Sequence, residues 1–136
     1  MYELFEHTAD LGLRVRANSL NELFADAGTA LSSMIVEDLI AVQPVVRVPI
    51  EIVGTDREYL LFDWLRQLLH HFDDEHLVFI KFDVNVEDSG LKAVVWGEPL
   101  EPDRHGRSHE VKAITYHELK VEPTADGWLA EVIVDI

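Results

Sequence analysis

The chain has 136 residues, 48% of them hydrophobic, which is enough to enclose a core, and it reads as a single domain over residues 1–136. Its 26 acidic side chains outnumber 11 basic ones for a formal charge of −15, which argues against a direct grip on a phosphate backbone and suits a hard cation or a basic protein partner, with plain solubility as the bland alternative. There is no cysteine, which excludes disulfides, thiolate nucleophiles and thiolate zinc sites and suits a reducing cytoplasm. No apolar run approaches the roughly 20 residues that cross a bilayer, and Met1-Tyr2-Glu3-Leu4 lacks the basic-then-apolar order of a secretory signal.

The first clear element is a half-buried strand in which Leu11, Leu13, Val15 and Ala17 alternate with Gly12, Arg14 and Arg16. Ser19 then opens a helix with Glu22 three residues on, the pattern of a capping box, and Leu20, Leu23, Phe24, Ala27, Leu31 and Met34 give it one apolar face. Val46, Val48, Ile50 and Ile52 alternate again, and Pro49 marks that strand as an edge or an irregular one. A second helix begins near Asp56 and carries Leu60, Leu61, Trp64, Leu65, Leu68 and Phe72; its end, His70 to His76, reads as polar and irregular. Leu77–Val86 and Leu91–Trp96 form a hairpin across Asp88-Ser89-Gly90. A polar loop is expected from Gly97 to Glu110, and a second hairpin pairs Ile114–Val121 with Trp128–Asp135. Gly12 and Gly97, isolated in strand patterns, suggest bulges or close backbone approach. The fold class is α+β: a two-layer arrangement of a mixed, mostly antiparallel β-sheet with two helices packed on one face.

The last strand runs directly into Ile136, so the Asp135 side chain and the Ile136 α-carboxylate sit on neighbouring residues. Termini usually fray, and a strand continuing to the final residue suggests a task for it. His7-Thr8-Ala9-Asp10, just before the first strand, could meet this end. Asp10, Asp135 and Ile136 would then form an all-oxygen ligand set, which selects hard cations, calcium foremost, with magnesium or manganese as alternatives. The plainer alternative is that Asp10 caps a turn and Asp135 is solvated. The seven histidines show no recognised zinc spacing; His117, on a predicted strand, either points into a pocket or is hydrogen-bonded at the strand surface. Lys112 opens the apolar run Val111-Lys112-Ala113-Ile114, where it either balances the carboxylates and a partner's anion or snorkels at a sheet edge.

Three segments together resemble the archease family: His7-Thr8-Ala9-Asp10-Leu11-Gly12, Val111-Lys112-Ala113-Ile114-Thr115-Tyr116-His117-Glu118-Leu119-Lys120-Val121, and Val132-Ile133-Val134-Asp135-Ile136. The leucine-rich second helix with Asp63-Trp64-Leu65 and the total length match as well, so the resemblance covers the whole chain. It implies a non-catalytic protein that activates an RtcB-type GTP-dependent RNA ligase in tRNA splicing and repair. The activator promotes guanylylation of the ligase histidine and so permits multiple turnover. The family's metal-binding aspartate falls on Asp10 and its penultimate aspartate on Asp135, with Ile136 as a further oxygen ligand. The essential lysine falls on Lys112, and His7 and His117 are supporting candidates. A tRNA methyltransferase is a second implied partner; no membrane and no direct nucleic-acid contact are expected.

Two other readings compete. A metal-dependent hydrolase or nucleotide-processing enzyme would hold magnesium on the carboxylates and use His117 as a base. A general chaperone would expose a sizeable apolar patch. The activator reading requires the two ends of the chain to fold back so that their acidic groups share one place.

Overall fold

Helix α1 (Leu20–Ile35) begins where the sequence marks it: the Ser19 hydroxyl accepts a hydrogen bond of 3.2 Å from the Glu22 amide. The returning half of the capping box is displaced by one residue, because the Glu22 carboxylate takes the Asn18 amide rather than that of Ser19. Helix α2 (Arg57–Glu75) is capped by Asp56, whose carboxylate accepts from the Glu58 and Tyr59 amides at 2.9 and 3.1 Å. Expected to fray from His70, α2 instead stays regular through Glu75 and ends on His76, which turns into the left-handed region at φ 57°. Its last turn is supported by an i, i+4 contact of 2.7 Å between His71 and Glu75. The computed structural model describes residues 1–136.

The strands divide into two sheets, and every pairing is antiparallel. One is built from β1 (Tyr2–His7), β2 (Asp10–Ala17) and β8 (Trp128–Asp135), with β6 (Ala113–Ile114) and β7 (Lys120–Pro123) both pairing with β8. The other runs β3 (Val46–Val53), β5 (Gly90–Pro99), β4 (Leu77–Glu87), which puts the Pro49-bearing strand at an edge, where a missing amide costs no ladder bond. Both helices pack against strands of both sheets, and 32 buried residues drawn from the helices and both sheets form one core. Trp64 is completely buried in α2, and its indole N–H donates to the Phe24 carbonyl of α1 at 2.8 Å, tying the helices together. Each fully buried large side chain contributes roughly 1.5–3 kcal/mol relative to exposure, against roughly 0–1 kcal/mol for a surface ion pair, so the apolar core holds the fold.

Three departures from the expected elements bear on function. The segment Tyr2–His7, not recognised as a strand, pairs with β2; Phe5 covers Gly12, where a Cβ would lie 2.2 Å from the ring. The loop expected from Gly97 is shorter, because β5 continues to Pro99 past a close approach in which a Cβ on Gly97 would lie 1.8 Å from the Val78 carbonyl oxygen. A helical turn, α3 (Pro102–His105), follows, and the strand expected over Ile114–Val121 is broken in two. Ile114 pairs with Val134 and Lys120 with Glu131, so residues 115–119 face only Val132 and Ile133 and must leave the sheet as a bulging loop. Thr115 anchors its start, with both the amide and the hydroxyl donating to the Ile133 carbonyl at 3.0 and 2.8 Å. No helix is long and apolar enough to cross a membrane.

Candidate metal centre at the end of the first sheet

The β1–β2 hairpin turns on Thr8 and Ala9, and Thr8 holds φ 48° at a position where glycine is usual. The hairpin closes on the pair His7 and Asp10, and the β2–β8 register ends with Leu11 opposite Val134. One step further along that register sets Asp10 opposite Asp135, and Asp135 in turn pairs with Ala113 of β6. His7, Asp10, Asp135 and Ala113 therefore form one row across four strands. Leu11 and Val134 are buried toward the core, so the alternation turns Asp10 and Asp135 to the outer face, where both are half-buried.

Two cations of this face, Arg14 and Lys120, are engaged elsewhere. Arg14 holds Glu131 at 2.6 Å and Glu3 at 3.0 Å and stacks over the Phe5 ring, while Lys120 lies 3.4 Å from Glu131. Burial alone would raise the Glu131 carboxyl, but the hydrogen bonds and charges of Arg14 and Lys120 outweigh it and hold the group below its ordinary value. Asp10 and Asp135 have no such partner. Like charges directly opposite on adjacent strands destabilise by roughly 0.2–1 kcal/mol, and a divalent ion between them removes that cost. Two half-buried carboxylates in register, without a protein cation, fit a hard divalent ion. Its residues would be Asp10 and Asp135, with Ile136 beside them, half-buried and packed on the core.

Lys112 is exposed, and its amide donates to the Asp135 carbonyl at 2.8 Å, so the backbone brings it to the end of the row. Its ammonium enters no ion pair; it lines a groove with Arg107, His109, Phe72 and Asp73, consistent with a cation held free rather than spent inside the fold. His117 is not on a strand. It sits at the crest of the 115–119 loop, its ring centroid 5.7 Å from that of His7. Between the two imidazoles stands Glu118, whose oxygens lie 3.2 Å from His7 Nε2 and 3.7 Å from His117 Nε2. Sequence reasoning passed over Glu118; the only signal was a carboxylate next to His117. Tyr116 packs the loop down onto Tyr59 and Phe62 of α2, with centroids at 4.7 and 5.1 Å. Partial burial first, then the neighbouring Tyr59 and after it the charges of Asp56 and Glu58, push the Tyr116 hydroxyl above its usual range.

Comparison with known proteins places these features in context. The Archease protein family model matches residues 2–136. Protein archease of Sulfurisphaera tokodaii is 39% identical over 99% of this chain and 98% of its own length, and that of Pyrococcus abyssi is 42% identical with the same coverage. The solution structure of Methanobacterium thermoautotrophicum protein 1598 superposes with a TM-score of 0.83 at 32% identity, covering 99% of this chain and 98% of that one. The crystal structure of an archease from Thermotoga maritima, described as a possible chaperone, shares the fold with a TM-score of 0.69 at 22% identity.

Proposed function

The chain belongs to the archease family, and from that premise we propose that it is a protein activator of an RtcB-type GTP-dependent RNA ligase, raising the rate of ligase guanylylation and so permitting repeated turnover. The observation that supports this reading is the β2–β8 register, which continued one step past Leu11 and Val134 sets Asp10 opposite Asp135, beside His7 and with neither carboxylate in an ion pair. Such a row gains most when a divalent ion or a basic partner group completes it. A ligase site that handles GTP and metal offers both. The overall charge of −15 speaks for a protein partner rather than for RNA held directly.

In this account Asp10 and Asp135 would hold a hard divalent ion, calcium or one of its relatives, which would supply charge neutralisation at the nucleotide. Lys112, with its ammonium uncommitted, answers the negative charge of the nucleotide phosphates or of a ligase carboxylate. The bond-making step stays with the ligase.

The test is ligase guanylylation with radiolabelled GTP under multiple-turnover conditions. Wild-type protein should stimulate it, and Asp10→Ala, Asp135→Ala and Lys112→Ala, each folded by circular dichroism, should lose most of the stimulation, about 10-fold or more, the effect expected when one ligand or charge partner is removed. Full stimulation by a folded Asp135→Ala protein would overturn the mechanism. GTP turnover by this chain alone would replace it with the hydrolase reading.

A further inference from the structure

The row of carboxylates is not the only ligand set at this sheet end. We propose that His7, His117 and Glu118 form a second, separate site for a borderline transition-metal ion of the zinc or cobalt(II) type. His7 lies more than a hundred residues from the adjacent pair His117 and Glu118, yet one ligand atom from each of the three lies within 4.8 Å of the others. Tetrahedral zinc, with bonds of about 2.0–2.1 Å to imidazole and carboxylate, sets its ligand atoms roughly 3.3 Å apart. The carboxylate oxygens of Glu118 stand 3.2 Å and 3.7 Å from the two imidazole nitrogens. A donor set of two imidazoles and one carboxylate selects zinc, cobalt, nickel or copper over calcium and magnesium, which separates it chemically from the all-oxygen row.

The segments that bear these groups are held in place. His7 ends β1 and is paired with Asp10. The 115–119 loop is fixed at both ends by pairing with β8, at Thr115 by two hydrogen bonds and at Tyr116 by its aromatic neighbours. Glu118 holds φ 56°, a left-handed conformation that a side chain resists and that the surrounding pairing imposes; outliers of this kind gather at functional sites. His7 presents Nε2 to Glu118 at 3.2 Å, while its Nδ1 is buried without a hydrogen-bond partner. Neither Nε2 lone pair can face the Glu118 carboxylate without repulsion; only a proton or a cation between them relieves it. Three protein ligands also leave one coordination position open, and the side chains of His117 and Glu118, 66% and 61% exposed, leave that side accessible to solvent.

This inference shares His7 with the row of the ligase reading but does not rest on that reading, and its test needs no ligase. Protein freed of metal with a chelator is titrated with cobalt(II), and the visible d–d absorption of a four-coordinate cobalt ion is followed, with zinc as competitor. One equivalent should develop the band and zinc should displace it. His117→Ala and Glu118→Gln change exposed side chains, so they should fold as wild type and bind cobalt about 10-fold more weakly or not at all. Asp135→Asn should keep the band. An absent band in wild type, an unchanged one in His117→Ala and Glu118→Gln, or equal loss in Asp135→Asn would overturn the separate site.

Discussion

Glu98 shows how much one buried carboxylate can organise. It accepts from the Gln43 amide at 2.6 Å, from both Arg104 amino groups at 2.7 Å, and from His105 Nε2 at 3.0 Å. Because His105 Nδ1 takes the Glu101 amide at 2.9 Å, the ring proton must sit on Nε2 and point at Glu98. Arg104 also donates to the Ala41 carbonyl, so this one group clasps β5, α3 and the turn at Leu39–Ala41. The Arg104 hydrogen bonds, joined by those of Gln43 and His105 and opposed only by burial, lower the Glu98 carboxyl from 4.5 to about 2. A lowered folded-state value means the clasp is complete above about pH 4.5 and is lost as pH falls toward 2. Glu98→Gln should therefore destabilise the protein by roughly 1–3 kcal/mol at neutral pH and much less near pH 2, measured by urea denaturation across pH. An equal loss at both pH values would refute the clasp. Nothing in the sequence marks Glu98, since its four donors come from residues that only the fold assembles, whereas the Ser19 cap and the helix start near Asp56 were legible because these side chains act on amides two or three residues away.

At the scale of elements, apolar periodicity located both helices and most strands, since each buries one face against a single core. It failed where tertiary pairing overrides the pattern. Ile114–Val121 alternates well enough for one strand, yet β8 offers only two residues opposite five, and the excess emerges as the loop bearing His117 and Glu118. The aromatic contacts of Tyr116 with Tyr59 and Phe62 hold this loop to α2. Such pairs contribute roughly 0.5–1.5 kcal/mol beyond area burial. Tyr116→Ala should lower stability by about 1 kcal/mol and speed amide exchange within residues 115–119 while leaving the α2 amides as protected as before. Unchanged exchange in the loop would show that the β8 pairing alone holds it. The short strand β1 went unrecognised because it lies at the edge of its sheet and none of its residues is fully buried, so it carries only a weak alternation.

For the molecule as a whole, the decisive property is that its two sequence extremes share one sheet, with β2 between β1 and β8. The acidic residues were visible in the sequence, but their meeting depended on a register that no local signal encodes. The same antiparallel frame that buries Leu11, Leu13, Val132 and Val134, continued one residue, sets Asp10 opposite Asp135 on the outer face, so core packing and the proposed site are one arrangement. That arrangement carries a thermodynamic signature. Without metal the two carboxylates repel, and removing one should raise stability slightly, by roughly 0.2–1 kcal/mol. With calcium the wild type gains stability by mass action, and a variant lacking one ligand should not. The most direct measurement is thermal unfolding of wild type and Asp135→Asn with and without saturating calcium. The account predicts that the variant unfolds at or above the wild-type temperature in chelator, while calcium raises the wild type and leaves the variant unmoved; an equal calcium response in both proteins would contradict it.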